Sequence, residues 1–405
     1  MQTRSFLFGS VGLALAFFGC ATPAPEEETA SVSDEQPLIG GAFCDVLGNC
    51  RASRIEDWKT SAASAHDFDV AKLDAATRFA ADNDGRCLLV VRDGELVYEQ
   101  YRNGADARSL HDTYSIAKTF TSALVGIAIA KGQIKSPDDL ASTYIPEWKR
   151  DSHAAIQVKH LLSGVSGIRY WPTLGLSVDL GDYSWLYTHH DLNDSAVHHP
   201  ADEAPGLTWH YNNHAVQAVG QVLEGATHEN VDDYARKNLW GPLGMTVDAE
   251  RTSGTHWRRD LAGNAVTFSS VFATCRGLAK FGQLLLQRGE WNGTQLLDRA
   301  YVDRMLAPSQ DKNRAYGFLT WLNQAPAIGN THNRFDGVPF PEAPRDLVSA
   351  QGVGQNFVDV IPSTRTVIVH IRPPRFLNVQ EILGDGKQEL HRAVLARVLA
   401  ADTRR

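Results

Sequence analysis

The chain has 405 residues, room for one large domain or two modest ones, and its 43% hydrophobic and 21% charged residues make an ordinary globular mix. A formal charge of -8 with no basic cluster argues against nucleic-acid binding, which rests on neutralising phosphates. No C-x-x-C pair occurs among the five cysteines, so a thiol-based zinc site is disfavoured.

The first 20 residues, "MQTRSFLFGSVGLALAFFGC", carry one arginine and then an apolar run too short to span a bilayer comfortably. They read as a secretory segment. Gly19-Cys20 resembles the bacterial lipoprotein signal, which implies that Cys20 is lipidated and that the protein is anchored to a membrane of the periplasm or cell envelope. Plain secretion and a retained anchor are the alternatives. Residues 21–40, rich in Pro, Glu, Ser and Thr, read as a flexible spacer, and residues 41–74 as an N-terminal extension. Export permits disulfides. Cys44 and Cys50 flank a short turn-rich loop and are expected to pair, whereas Cys87 reads as a lone buried thiol and the state of Cys275 stays open.

The domain proper runs from about 75 to 400. "RCLLVVRDGELVYEQYRNG" predicts a hairpin turning at Asp93-Gly94, and "YSIAKTFTSALVGIAIAKG" a long apolar helix ending at Gly132. Residues 133–300 read as helices separated by long loops. Beyond Tyr316 the period shortens to that of strands, until a final helix closes the chain. Strands near both ends must meet in one sheet, giving an α+β fold: a sheet lobe of about 75–114 and 310–400, with a helical lobe of about 130–300.

Ser115 and Lys118 form Ser-x-x-Lys at the start of the apolar helix, one turn apart on one face. Ser115 there feels the positive end of the helix dipole, and a desolvated lysine loses part of its preference for the charged form, so it can accept a proton. A nucleophile and its base would then lie within one turn. The spacing alone is weak, since Ser309 and Lys312 repeat it in a charged loop. Tyr211-Asn212-Asn213 opens a second apolar helix about a hundred residues downstream, whereas Tyr101-Arg102-Asn103 fits the same pattern but precedes the serine in a hairpin.

With S-x-x-K followed by Y-x-N in that order, the chain resembles the penicillin-recognising serine hydrolases. The likeness is to the branch of class C β-lactamases, related esterases and 6-aminohexanoate-dimer hydrolase, and it covers roughly residues 75–400. The resemblance implies a β-lactamase/transpeptidase-like fold, with an antiparallel sheet flanked by helices and a mostly helical subdomain. It makes Ser115 the nucleophile, Lys118 its base, and Tyr211 a proton carrier hydrogen-bonded to both. Asn213 would orient substrate or Lys118. Where the family has K-T-G or H-x-G, this chain has "SAQGVGQNF" with no basic residue. A backbone N–H of Gly354 or Gln355 is the candidate to join that of Ser115 in an oxyanion hole. Arg345 and His332 are candidates for a replacement cation, and Tyr170 and Trp171 for the substrate pocket.

The expected reaction is cleavage of a small-molecule ester or amide through an acyl-Ser115 intermediate, without a cofactor. A β-lactamase or DD-peptidase acting on cell-wall-type substrates is one alternative, although the missing basic residue counts against carboxylate-bearing substrates. A penicillin-binding-like protein without turnover is the other. "THHDLNDSAVHHP" (188–200) invites a metal reading, but without zinc-ligand spacing it reads better as a loop at the cleft rim, and no metal is expected. No G-x-S-x-G elbow supports an α/β-hydrolase. The sequence leaves the oligomeric state open.

Overall fold

Residues 87–92, Cys-Leu-Leu-Val-Val-Arg, are apolar at both odd and even positions, so a strand made of them must be covered on both sides. The computed structural model, which describes residues 50–170, 190–247, 254–329, 334–335, 337–374 and 388–404, puts this strand inside a six-stranded antiparallel sheet. In chain order the labelled strands are β1 (Cys87–Arg92), β2 (Glu95–Tyr101), β3 (Ser109–Asp112), β4 (Val271–Ala273), β5 (Trp321–Leu322), β6 (Val348–Gly352), β7 (Asn356–Ile361) and β8 (Thr366–Ile371). The sheet order is β2-β1-β8-β7-β6-β5, so strands from both ends of the domain pair at β1 and β8. The Asp93-Gly94 turn adopts positive φ at both residues, as the hairpin requires.

Two helical layers follow from the alternation. Leu88, Val90, Ile368 and Phe357 face α1 (Val70–Asp82) and the C-terminal helix, Glu389–Leu399. Leu89, Val91, Val358, Val367 and Val369 face the other way, into a larger core. That core contains α2 (Ile116–Ala130), α3 (Asn213–Thr227) and α4 (Cys275–Leu286); the C-terminal helix is α5. At Gly282 of α4 a Cβ would come within 2.5 Å of Val367, so the glycine lets helix and sheet approach closely.

A second, four-stranded sheet joins Cys50–Arg51, β3, β4 and His256–Trp257 in that order. The N-terminal extension is fastened to the body by a buried carboxylate: Glu56 Oε1 accepts from Thr246 N and from the Thr246 and Thr274 hydroxyls. Cys87, expected as a lone thiol, is instead bonded to Cys275. The first residue of β1 and the first residue of α4 pack side by side, Cα atoms 6.7 Å apart across a sequence separation of 188. Cys20, Cys44 and the side chain of Cys50 lie outside the described residues. Among the described residues no helix is long and apolar enough to cross a membrane.

Candidate active site

β3 runs into a tight turn, and the turn into α2. Tyr114 has φ +49°, a conformation that side chains with a Cβ disfavour, and Ser115 follows as the N-cap of α2 with φ -69° and ψ -4°. A serine at this position ordinarily turns its hydroxyl onto the first backbone N–H groups of the helix. Here it makes no such bond. The Ser115 Oγ instead lies 3.0 Å from Lys118 Nζ.

Lys118 is 2% exposed, so its ammonium does not snorkel to water. Its Nζ donates to the Phe268 carbonyl at 2.7 Å and sits over the rings of Tyr211 and Phe268, 4.7 and 5.6 Å from their centroids. The segment that supplies this carbonyl is tied into both helices of the site. Thr121 Oγ1 donates to the Thr267 carbonyl at 2.6 Å, while Gln217 of α3 accepts from Thr267 N and Oγ1. Phe268, Thr267 and Gln217 escaped the sequence reading, because a backbone carbonyl holding a lysine leaves no mark in side-chain spacing.

Tyr211 precedes α3, with its phenol beside the Ser115 hydroxyl. Burial pushes the phenol well above its ordinary pKa, with the Ser115 hydroxyl pulling the other way. The ring stacks on Trp321 at 5.6 Å and meets Tyr316 edge-on at 6.3 Å. Asn212, not Asn213, caps α3 by accepting from Ala215 N, and its amide also holds the Ile168 and Arg169 carbonyls. Asn213, the first helical residue, keeps its Oδ1 buried without a partner among the described residues. Tyr170 is half-buried and stacks on His210 at 5.0 Å; Trp171 lies outside the described residues.

Within the third motif, Gly352 is the glycine that lies against the serine turn. At Gly352, the last residue of β6, a Cβ would lie 2.3 Å from Thr113 O and 3.4 Å from the Tyr114 Cβ, so this glycine packs directly on the turn that carries Ser115. The Cβ direction of Gly354 and the side chain of Gln355 point elsewhere. A Cβ on Gly354 would meet Arg372 O and Pro374, and Gln355 uses its Oε1 to accept from Leu390 N and His391 N at the start of α5. β6 carries no basic residue. Arg345 is exposed, and His332 lies outside the described residues.

In the described part of the histidine-rich stretch, His198 and His199 take separate partners. Asp191 caps the helix Leu192–His198, His198 Nδ1 bonds the Asp194 carbonyl, and His199 stacks on His214 at 3.7 Å while its Nε2 bonds the Arg169 carbonyl. Among the described residues no group of three or more His, Cys, Asp or Glu could hold a metal ion.

The family model for Beta-lactamase matches residues 74–371. Esterase EstB of Burkholderia gladioli is 27% identical over 187 residues, 40% of this chain and 45% of that protein. The 6-aminohexanoate-dimer hydrolase of Paenarthrobacter ureafaciens is 24% identical over 258 residues, 59% of this chain and 63% of that protein. The match thus spans less than two thirds of either relative. The fold is shared with a Bacillus anthracis protein proposed to be a 6-aminohexanoate-dimer hydrolase: TM-score 0.64, 21% identity, 87% of this chain and 90% of that one.

Proposed function

Because the chain belongs to the beta-lactamase family, we propose that it is a serine hydrolase that cleaves a small-molecule ester or amide through an acyl-enzyme on Ser115. The single observation that carries this reading is the buried lysine amine 3.0 Å from the Ser115 hydroxyl and anchored from behind by the Phe268 carbonyl. With one N–H engaged by that carbonyl, the neutral amine turns its lone pair on Ser115. It takes the hydroxyl proton as Oγ bonds to the acyl carbon. The bond to the leaving alcohol or amine then breaks, and the leaving group takes a proton relayed through Tyr211 from the Lys118 ammonium. Water repeats the sequence on the acyl-enzyme, with its proton going to Lys118. The raised phenol pKa keeps Tyr211 protonated at neutral pH, which suits a relay and leaves the base role to Lys118.

The aromatic wall of Tyr211, Trp321 and Tyr316, beside a strand without a basic residue, favours neutral acyl groups over carboxylate-bearing substrates. The relatives named an esterase and a 6-aminohexanoate-dimer hydrolase support an ester or amide as the substrate. Export and a lipid anchor at Cys20 are part of the same proposal. The N-terminal segment supports them, as does a Cys87–Cys275 disulfide that an oxidising compartment would preserve.

The test is intact mass of residues 40–405 mixed with a short-chain activated ester and quenched early, with Ser115→Ala alongside. An acyl-sized gain in the wild type that the variant lacks is the expected result. Ester turnover that survives in Ser115→Ala would remove the nucleophile from this reading, and the absence of both adduct and turnover would favour a binding protein.

A further inference from the structure

We propose that Asp112 is a positioning residue for the candidate nucleophile, one carboxylate clamping the Ser115 turn to the segment that anchors Lys118. The inference rests on the serine-hydrolase reading. Tyr114 and Ser270 are both non-glycine residues with positive φ, at +49° and +61°. Such backbone persists only where its surroundings over-determine it. The two residues face each other, with Ser270 N donating to Tyr114 O at 3.1 Å. Asp112, two residues before Tyr114, reaches both. Its Oδ1 accepts from Tyr114 N at 2.9 Å, and its Oδ2 accepts from the Ser270 hydroxyl at 3.1 Å and from Arg258 Nη2 at 3.2 Å.

What each end of the clamp controls gives it meaning. Tyr114 precedes Ser115, so its φ and ψ set the direction of the 114–115 peptide and of the Ser115 N–H. Ser270 lies two residues after Phe268, whose carbonyl fixes Lys118. Nucleophile and base belong to the same helix, but the groups that aim them belong to distant segments, and Asp112 is the side chain bonded to both. Removing the carboxylate frees Tyr114 to leave the left-handed region and turns the Ser115 N–H away from a bound carbonyl oxygen. Substrate binding by the aromatic wall would be unchanged.

The experiment compares Asp112→Ala, Asp112→Asn and Ser270→Ala with the wild type, at a temperature where each is folded by circular dichroism. Steady-state turnover of an activated ester is measured beside the rate at which an alkyl fluorophosphonate labels Ser115. We expect kcat and the labelling rate to fall about 100-fold in Asp112→Ala with KM within about threefold. Asn, which keeps an oxygen for Tyr114 N–H, should restore most of the rate. Ser270→Ala, which removes one arm, should cost about tenfold. Wild-type labelling and kcat in a folded Asp112→Ala would overturn the inference and leave the hydrolase reading intact, as would an Ala loss that Asn does not recover. A wild-type protein that neither turns over ester nor labels at Ser115 would overturn both.

Discussion

Two stretches of this chain share Ser-x-x-Lys spacing, and the structure treats them in opposite ways. At Ser115 the lysine is buried, pinned by a carbonyl from a segment 150 residues away and turned onto its serine. At Ser309 the hydroxyl donates to the Tyr316 and Gly317 carbonyls, and Lys312 pairs with its neighbour Asp311 in an exposed loop. The spacing brings two side chains within reach. Whether they make a reactive pair depends on what removes water from the lysine and what else occupies the serine, and both are tertiary effects.

The comparison can be broken most sharply at the lysines. Lys118→Met should lower acylation by roughly 10³-fold, within the range for loss of a positioned base, while Lys312→Met should leave it unchanged. Single-turnover kinetics with an activated ester reads both. A smaller effect is expected at the strand that backs the turn. Gly352→Ala puts a Cβ against Thr113 O and should displace the Ser115 turn, costing about 100-fold in kcat. Gly354→Ala, strained by its φ of +83°, should cost about 1 kcal/mol of stability and no activity. A protein with both effects at Gly354 would reverse the assignment of the site-facing glycine.

A pH titration separates burial from reactivity. His370 is fully buried in β8, and burial first, then the charges of His391 and Arg372, push its imidazole down to about 3, against a backbone hydrogen bond to Gln355. Because the folded value lies below the ordinary 6.5, its contribution to stability is complete above about pH 6.5 and is lost as pH falls toward 3. The urea midpoint should therefore drop on acidification from pH 6.5, at about 1.4 kcal/mol per pH unit for this group, and His370→Gln should flatten that slope.

Local signals were legible where neighbours in sequence decide them. The Asp93-Gly94 hairpin, the helix from Ile116 and its end at Gly132, with φ +70°, all follow from a few adjacent residues. The serine, lysine and tyrosine could be singled out because their residue types are constrained by chemistry. The glycine that packs on the serine turn could not, since Gly352 and Gly354 differ only in which one the strand register presents to Thr113. The asparagine cap fell one residue earlier than the Y-x-N pattern drew attention to, on Asn212. "YGFLTWLNQ" lies where the strand period begins, but its one strand in the sheet is Trp321–Leu322, at the edge, while Tyr316 bridges back to Trp321 and meets the Tyr211 ring. The Cys87–Cys275 bond depends on where β1 and α4 meet, which no local spacing encodes.

That bond has a topological consequence. It closes the polypeptide into a covalent ring, and Asp112, Ser115, Lys118, Tyr211, Gln217 and Phe268 all fall on its circumference, with β6 outside it. A protease that cuts the backbone once between residues 87 and 275 linearises the ring without releasing either piece. The proton-transfer groups then stay on one covalent molecule until a reductant separates them.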